Sequence, residues 1–125
     1  MQKFILLVFI CFSLSNCKKN NKSSFTVKYE VQGSSSTGYD IAYTNELGQT
    51  SYTQANNGWT YQINGKSGQC YKLTIIPHQY CSNSGTGNIF FNNSLKATKS
   101  VTQFSESVPN QIGGMSCGFT ITACN

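Results

Sequence analysis

The sequence contains no arginine, a single histidine (His78), a single aspartate (Asp40) and two prolines. Without arginine, and with lysines that do not cluster in its folded part, the chain lacks the basic patch of a nucleic-acid surface. One histidine and one aspartate leave little material for acid–base catalysis. Two prolines exclude a proline-rich linker. Charged residues are 10% of the 125, too few for a coiled coil or a solvated disordered tail. Aromatic residues, at 13%, argue for a packed core, and the length argues for one domain.

The only long apolar run is at the start. Lys3 precedes Phe4-Ile5-Leu6-Leu7-Val8-Phe9-Ile10-Cys11-Phe12. The run falls short of the about 20 residues of a membrane span and fits the charged and hydrophobic regions of an export signal. It ends in Leu14-Ser15-Asn16-Cys17, which resembles the bacterial lipobox, with Asn16 where a small residue is usual. That resemblance implies a signal peptide over 1–16, removed before Cys17, and acyl chains such as palmitate on Cys17. Residues 17–24 then form a flexible basic tether carrying Lys18, Lys19 and Lys22, each worth about 1 kcal/mol near an anionic surface. A lysine after the lipidated cysteine, in place of an acidic residue, points to the outer membrane, facing the periplasm. Beyond the tether five lysines (28, 66, 72, 96 and 99) meet four acids (Glu30, Asp40, Glu46 and Glu106), so the folded part is close to neutral.

Of six cysteines, Cys11 leaves with the signal and Cys17 takes the lipid. Cys70, Cys81, Cys117 and Cys124 remain. In an exported small domain four cysteines imply two disulfides. Cys117 and Cys124 flank the alternating segment Gly118–Ala123, and seven strand steps span roughly 20 Å, too far for a direct bond. Two cross-pairings survive. Antiparallel neighbours give Cys70–Cys124 and Cys81–Cys117; parallel ones give Cys70–Cys117 and Cys81–Cys124. Antiparallel pairs are commoner, which favours the first. Cys70, His78 and Cys81 as metal ligands are the weaker rival, since the chain has no C-x-x-C knuckle and export favours oxidised thiols; neither metal nor cofactor is expected.

Residues 25–125 read as a single β domain. Phe25, Val27, Tyr29 and Val31 alternate with Thr26, Lys28 and Glu30, a half-buried strand. Tyr39–Thr44 alternates similarly. Asn45–Gly48 reads as a hairpin turn before the exposed strand 49–54. Trp59, Tyr61 and Ile63 share a face, which places Trp59 and Tyr61 in the core. Cys70–Ile76 is a strand, 77–87 a long loop, 88–92 a short strand, 95–104 a weaker strand, 105–116 irregular and 117–123 the closing strand. No segment keeps helical spacing for three turns. Seven or eight short strands indicate a sandwich or a barrel.

Several segments resemble the MmpS-type domain. Val27-Lys28-Tyr29-Glu30-Val31-Gln32-Gly33 followed by Ile41-Ala42-Tyr43-Thr44-Asn45 resembles its opening strands. Gly58-Trp59 falls at its tryptophan, Ile89-Phe90-Phe91-Asn92 at a later core strand, and Gly114–Cys124 at its cysteine-ending last strand. The resemblance spans about residues 25–125. It implies an all-β, immunoglobulin-like antiparallel β-sandwich of about seven strands, held at the cell envelope, whose relatives assist RND-type exporters of lipid-like molecules. The lipobox in place of a membrane helix, the missing proline before Trp59, the extra cysteine pair and the 77–87 loop depart from the family pattern.

For catalysis, a Ser–His–Asp triad would have to use His78 and Asp40, and no G-x-S-x-G elbow is present. The four acids read as surface charges, not as a glycosidase pair. Tyr52 and Tyr80 are the aromatics expected to be exposed and free to stack on a sugar. The function expected is a non-enzymatic accessory or interaction module of the envelope, with an RND-type transporter as the candidate partner. The alternative is a glycan- or lipid-binding lipoprotein using Tyr52 and Tyr80.

Overall fold

The structure, a computed structural model, describes residues 24–125. The segments expected to be a signal peptide and a tether, with Cys17 between them, lie outside the described residues up to residue 23.

Nine strands form: β1 (Phe25–Gly33), β2 (Tyr39–Thr44), β3 (Thr50–Ala55), β4 (Trp59–Gly65), β5 (Cys70–Pro77), β6 (Gly85–Phe91), β7 (Ser94–Val101), β8 (Glu106–Pro109) and β9 (Met115–Cys124). All pairings are antiparallel. One sheet has the order β4-β1-β6-β7 and the other β3-β2-β5-β9-β8. The fold is an immunoglobulin-like β-sandwich. In the usual lettering β1 and β4 stand as B and E, and β2, β5 and β9 as C, F and G. The position of strand A, on the free side of B, is filled by β6, which comes from an insertion between F and G.

Strict alternation sets the core. Phe25, Val27, Tyr29 and Val31 of β1 are buried and face Tyr71, Leu73 and Ile75 of β5, Ile41 of β2, and Phe119 and Ile121 of β9 across the two sheets. Removing these side chains from water supplies the main driving force, about 1.5–3 kcal/mol for each large one. The Tyr29 hydroxyl is buried too and donates to the Thr44 carbonyl at 2.7 Å, so burial leaves no unpaired polar group there.

The disulfides are Cys70–Cys124 and Cys81–Cys117, the pairing of antiparallel neighbours. Cys70 and Cys124 are direct register partners of β5 and β9. A metal site at Cys70, His78 and Cys81 therefore loses its thiolates.

Three stretches differ from their sequence reading. The loop after β5 is shorter than 77–87, because β6 begins at Gly85. Gly85 and Gly87 look like turn residues. Instead they leave room for the Phe104 ring and for Ile75 and Phe119, where a Cβ would collide. The strand expected over 95–104 ends at Val101, and Phe104 turns inward to stack on Phe119 at 5.5 Å. The stretch 105–116, expected to be irregular, holds β8 and the start of β9. Pro109 ends an edge strand, where no N–H is required, and Asn110 Oδ1 accepts from Gly114 N at 2.9 Å to close the turn.

Tyr61 is a further correction, whereas Trp59 is partly buried and packs against the core as expected. Both face inward at the open edge between β3 and β4. There Trp59, Tyr61 and Tyr43 form an aromatic group with centroids 5.2–6.0 Å apart. Tyr61 is 44% exposed and not part of the core, because among the described residues β4 is an edge strand.

Candidate interaction surface

The sandwich has two unlike ends. Ser24 enters at the end that carries the Asn45–Gly48 turn, the β4–β5 turn, the Asn92-Asn93 turn and the Cys70–Cys124 bond. The opposite end carries the β1–β2 loop, the β5–β6 loop and the β8–β9 hairpin. It is therefore distal to Ser24.

The distal loops are tied together by hydrogen bonds. The Tyr39 hydroxyl accepts from Ser35 N at 2.9 Å and donates to the Ser84 carbonyl at 3.0 Å. Gly33 leaves the room that this hydroxyl occupies. Ser34 Oγ accepts from Ser84 N at 2.9 Å, and His78 N donates to the Gly38 carbonyl at 3.2 Å. Asn57 Oδ1 accepts from Gly33 N at 2.8 Å, which draws in the β3–β4 turn. Cys81–Cys117 then fixes the β5–β6 loop to the base of the β8–β9 hairpin. Loops held this way lose little entropy on meeting a partner.

Large apolar side chains stand out from this framework. Tyr80 lies next to Cys81 and is 64% exposed, while Ile112 at the hairpin tip is 92% exposed and Met115 63%. Sequence reading missed Ile112 and Met115. The signal was an isoleucine inside Asn-Gln-Ile-Gly-Gly, a turn too short to bury it.

His78 and Asp40, the single histidine and the single aspartate, meet in space. His78 Nε2 lies 2.8 Å from Asp40 Oδ1, and Nδ1 lies 2.7 Å from the Thr37 carbonyl oxygen. A catalytic histidine needs one ring nitrogen directed at a nucleophile. Here both are engaged by acceptors of the fold, and the pair holds the β1–β2 loop against the end of β5.

Both candidate tyrosines are exposed, and they do not pair. Tyr52, 48% exposed, stands on the outer face of the larger sheet opposite Ala42, whereas Tyr80 stands on the distal loop. The four later cysteines are the two disulfides, one near each end of the sandwich. Cys17 lies outside the described residues. Burial pushes the Tyr43 hydroxyl above its ordinary pKa, and the neighbouring Tyr61 adds to the shift, which marks the β3/β4 edge as partly desolvated.

No family model matches the chain, and no curated protein matches it.

Proposed function

We propose that the chain is a lipid-anchored, non-enzymatic interaction module of the bacterial cell envelope that presents its distal end to a protein partner. One observation carries this reading. Tyr80 of the β5–β6 loop and Ile112 and Met115 of the β8–β9 hairpin are exposed, and Cys81–Cys117 joins loop to hairpin, at the end of the sandwich opposite Ser24. Aromatic and methionine side chains on a rigid frame are the usual content of protein-binding centres. The lipobox at Leu14–Cys17 supports anchoring through Cys17 in the outer membrane, facing the periplasm. The engagement of both His78 ring nitrogens supports a non-catalytic role. The resemblance to MmpS-type domains directs the search for the partner to RND-type transporters.

The test places a photo-crosslinking residue at Tyr80, Ile112 or Met115 in the full chain and irradiates native envelopes. One envelope protein should be captured from these three positions and not from Gln62, on the outer face of the smaller sheet. Equal capture from all four, or none from the three, rejects the reading. Cys17→Ser should release the chain from the membrane fraction.

A second reading, a glycan- or lipid-binding lipoprotein, is favoured by the groove beside Tyr52 on a different surface.

A further inference from the structure

The outer face of the larger sheet carries a trough separate from the distal apolar residues. Its floor centres on Ala42, which lies between Tyr52 of β3 and Thr74 of β5. The small side chain leaves a hollow between larger neighbours. The β8–β9 hairpin supplies the far wall. Val108 packs against Gly118, where any side chain would strike it, and Asn110 and Gln111 line the hollow together with Ile76. The volume is 310 Å³. A shallower extension of 150 Å³ continues past Tyr52 to Thr44, Lys72 and Pro109. The larger hollow falls at the lower end of the about 300–1,000 Å³ typical of small-ligand sites.

We propose that this trough binds a neutral saccharide, with Tyr52 as the stacking platform and the side-chain amides of Gln54 and Gln111 as partners for its hydroxyl groups.

The lining chemistry selects this class. A sugar ring offers C–H bonds on its faces and hydroxyls on its rim. A half-exposed tyrosine ring suits the face, and amides, which both donate and accept, suit the rim. Fixed charge is sparse. The Asp40 carboxylate at one end has Oδ1 bonded to His78, and Lys72 at the other end is the one cation among the lining residues of either hollow. A polyanion would require several cations converging on it. A peptide adding as a strand would pair along the free outer edge of β3 and leave the trough unfilled, since β2 and β5 beneath it are each paired on both sides. An acyl chain would strip water from Thr53, Thr74 and the amides without replacing it.

The test uses the full chain, in detergent, on an array of chitotetraose, cellotetraose and mannotetraose, with an acidic oligogalacturonate as the contrast. At least one neutral oligosaccharide should bind and the acidic one should not. Tyr52→Ala should weaken binding about tenfold. Ala42→Leu, which fills the hollow from the solvent side without entering the core, should weaken it by at least as much. Thermal melts of both variants should match the parent, since neither residue belongs to the buried core. Ile112→Ser should bind the sugar as the parent does, so failure of partner capture and failure of sugar binding are read separately. No binding to any neutral sugar, binding that survives both Tyr52→Ala and Ala42→Leu, or capture of the acidic oligomer alone would overturn the proposal.

Discussion

The two ends of the sandwich solve the same problem with different means. At the proximal end, where Ser24 enters, the strands join through short turns. Gly48 at φ 79° and Gly68 at φ 78° supply the left-handed backbone, and Cys70–Cys124 closes adjacent strands in register. Leu47 and Leu95 are the exposed large apolar side chains near that end. At the distal end the connections are longer, side chains hold them to one another, and Cys81–Cys117 joins loop to hairpin rather than strand to strand. A disulfide at the first end reinforces what the ladder already fixes. At the second it holds parts that the ladder does not reach. The difference teaches that one covalent device can serve stability at one end and the shape of a set of loops, here the proposed recognition surface, at the other.

Breaking the disulfides separately sharpens this contrast and should have the largest effect. The bonds close loops of 54 and 36 residues. Chain entropy then assigns about 4 kcal/mol to each, so stability alone does not distinguish them. Cys70→Ser with Cys124→Ser should lower the unfolding free energy by that amount and leave partner capture intact wherever the protein remains folded. Cys81→Ser with Cys117→Ser should lower stability similarly and abolish capture through Ile112 and Met115. Chemical denaturation and photo-crosslinking, run on both double variants, check the two halves. Equal loss of capture from both would mean that the distal bond has no special role.

Two tyrosines allow the same comparison without cysteine chemistry. Tyr39 serves the distal end through two hydrogen bonds, one accepted from Ser35 N and one donated to the Ser84 carbonyl. Tyr71 serves the proximal end through one, accepted from Lys66 N at 2.6 Å. Both rings are fully buried. Tyr39→Phe leaves the buried Ser35 amide without its acceptor, at a cost of about 1–3 kcal/mol. Tyr71→Phe should cost less, since Lys66 lies at an exposed turn where water can replace the hydroxyl. Amide exchange should accelerate at Ser35 and Ser84 in the first variant and at Lys66 in the second.

These contacts also mark how far the sequence could be read. Alternation revealed β1, β2 and β5 with their inward faces, because a period of two is visible whenever one face meets the core. The disulfide pairing was accessible because the cysteines bracket two strands, and only their relative direction was open. Gly85 and Gly87 misled the reading, since close packing and turns use the same residue and the ring of Phe104 is invisible from position 85. The His78–Asp40 pair, 38 residues apart, exists only once β2 and β5 are neighbours. The trough needs β3, β5 and the β8–β9 hairpin together, so exposure of Tyr52 was legible and its surroundings were not. Ile112 and Met115 were obscured because their segment was read as irregular.

Alkaline pH probes the interior between the two ends. Burial, followed by the neighbouring Tyr71 and Tyr43, pushes the Tyr29 hydroxyl well above its ordinary 10.0. The folded state therefore keeps this proton after the unfolded state has released it. Stability is full below pH 10 and falls as the pH rises past the unfolded value. Urea midpoints measured from pH 8 to 11 should decline over the upper part of that range, and Tyr29→Phe should flatten the decline. A parent curve that stays level to pH 11 would contradict the burial of a protonated Tyr29.

The smallest expected effect concerns the His78–Asp40 pair. Its carboxylate is about half exposed, and exposed pairs of this kind contribute about 0–1 kcal/mol. His78→Ala should therefore change the unfolding free energy by less than about 1 kcal/mol. Its local effect should be larger than its global one, because the ring also holds the Thr37 carbonyl and spans from β5 to the β1–β2 loop. Loss of the ring should raise amide exchange in residues 34–38 and leave the proximal turns at 45–48 and 65–69 unchanged. Because Asp40 also lines one end of the trough, the same variant frees its carboxylate toward bound sugar. A change in saccharide affinity with no change at the proximal turns would place the pair at the junction of the distal loops and the outer-face trough, whereas exchange that rises equally at both ends would show the pair acting only through overall stability.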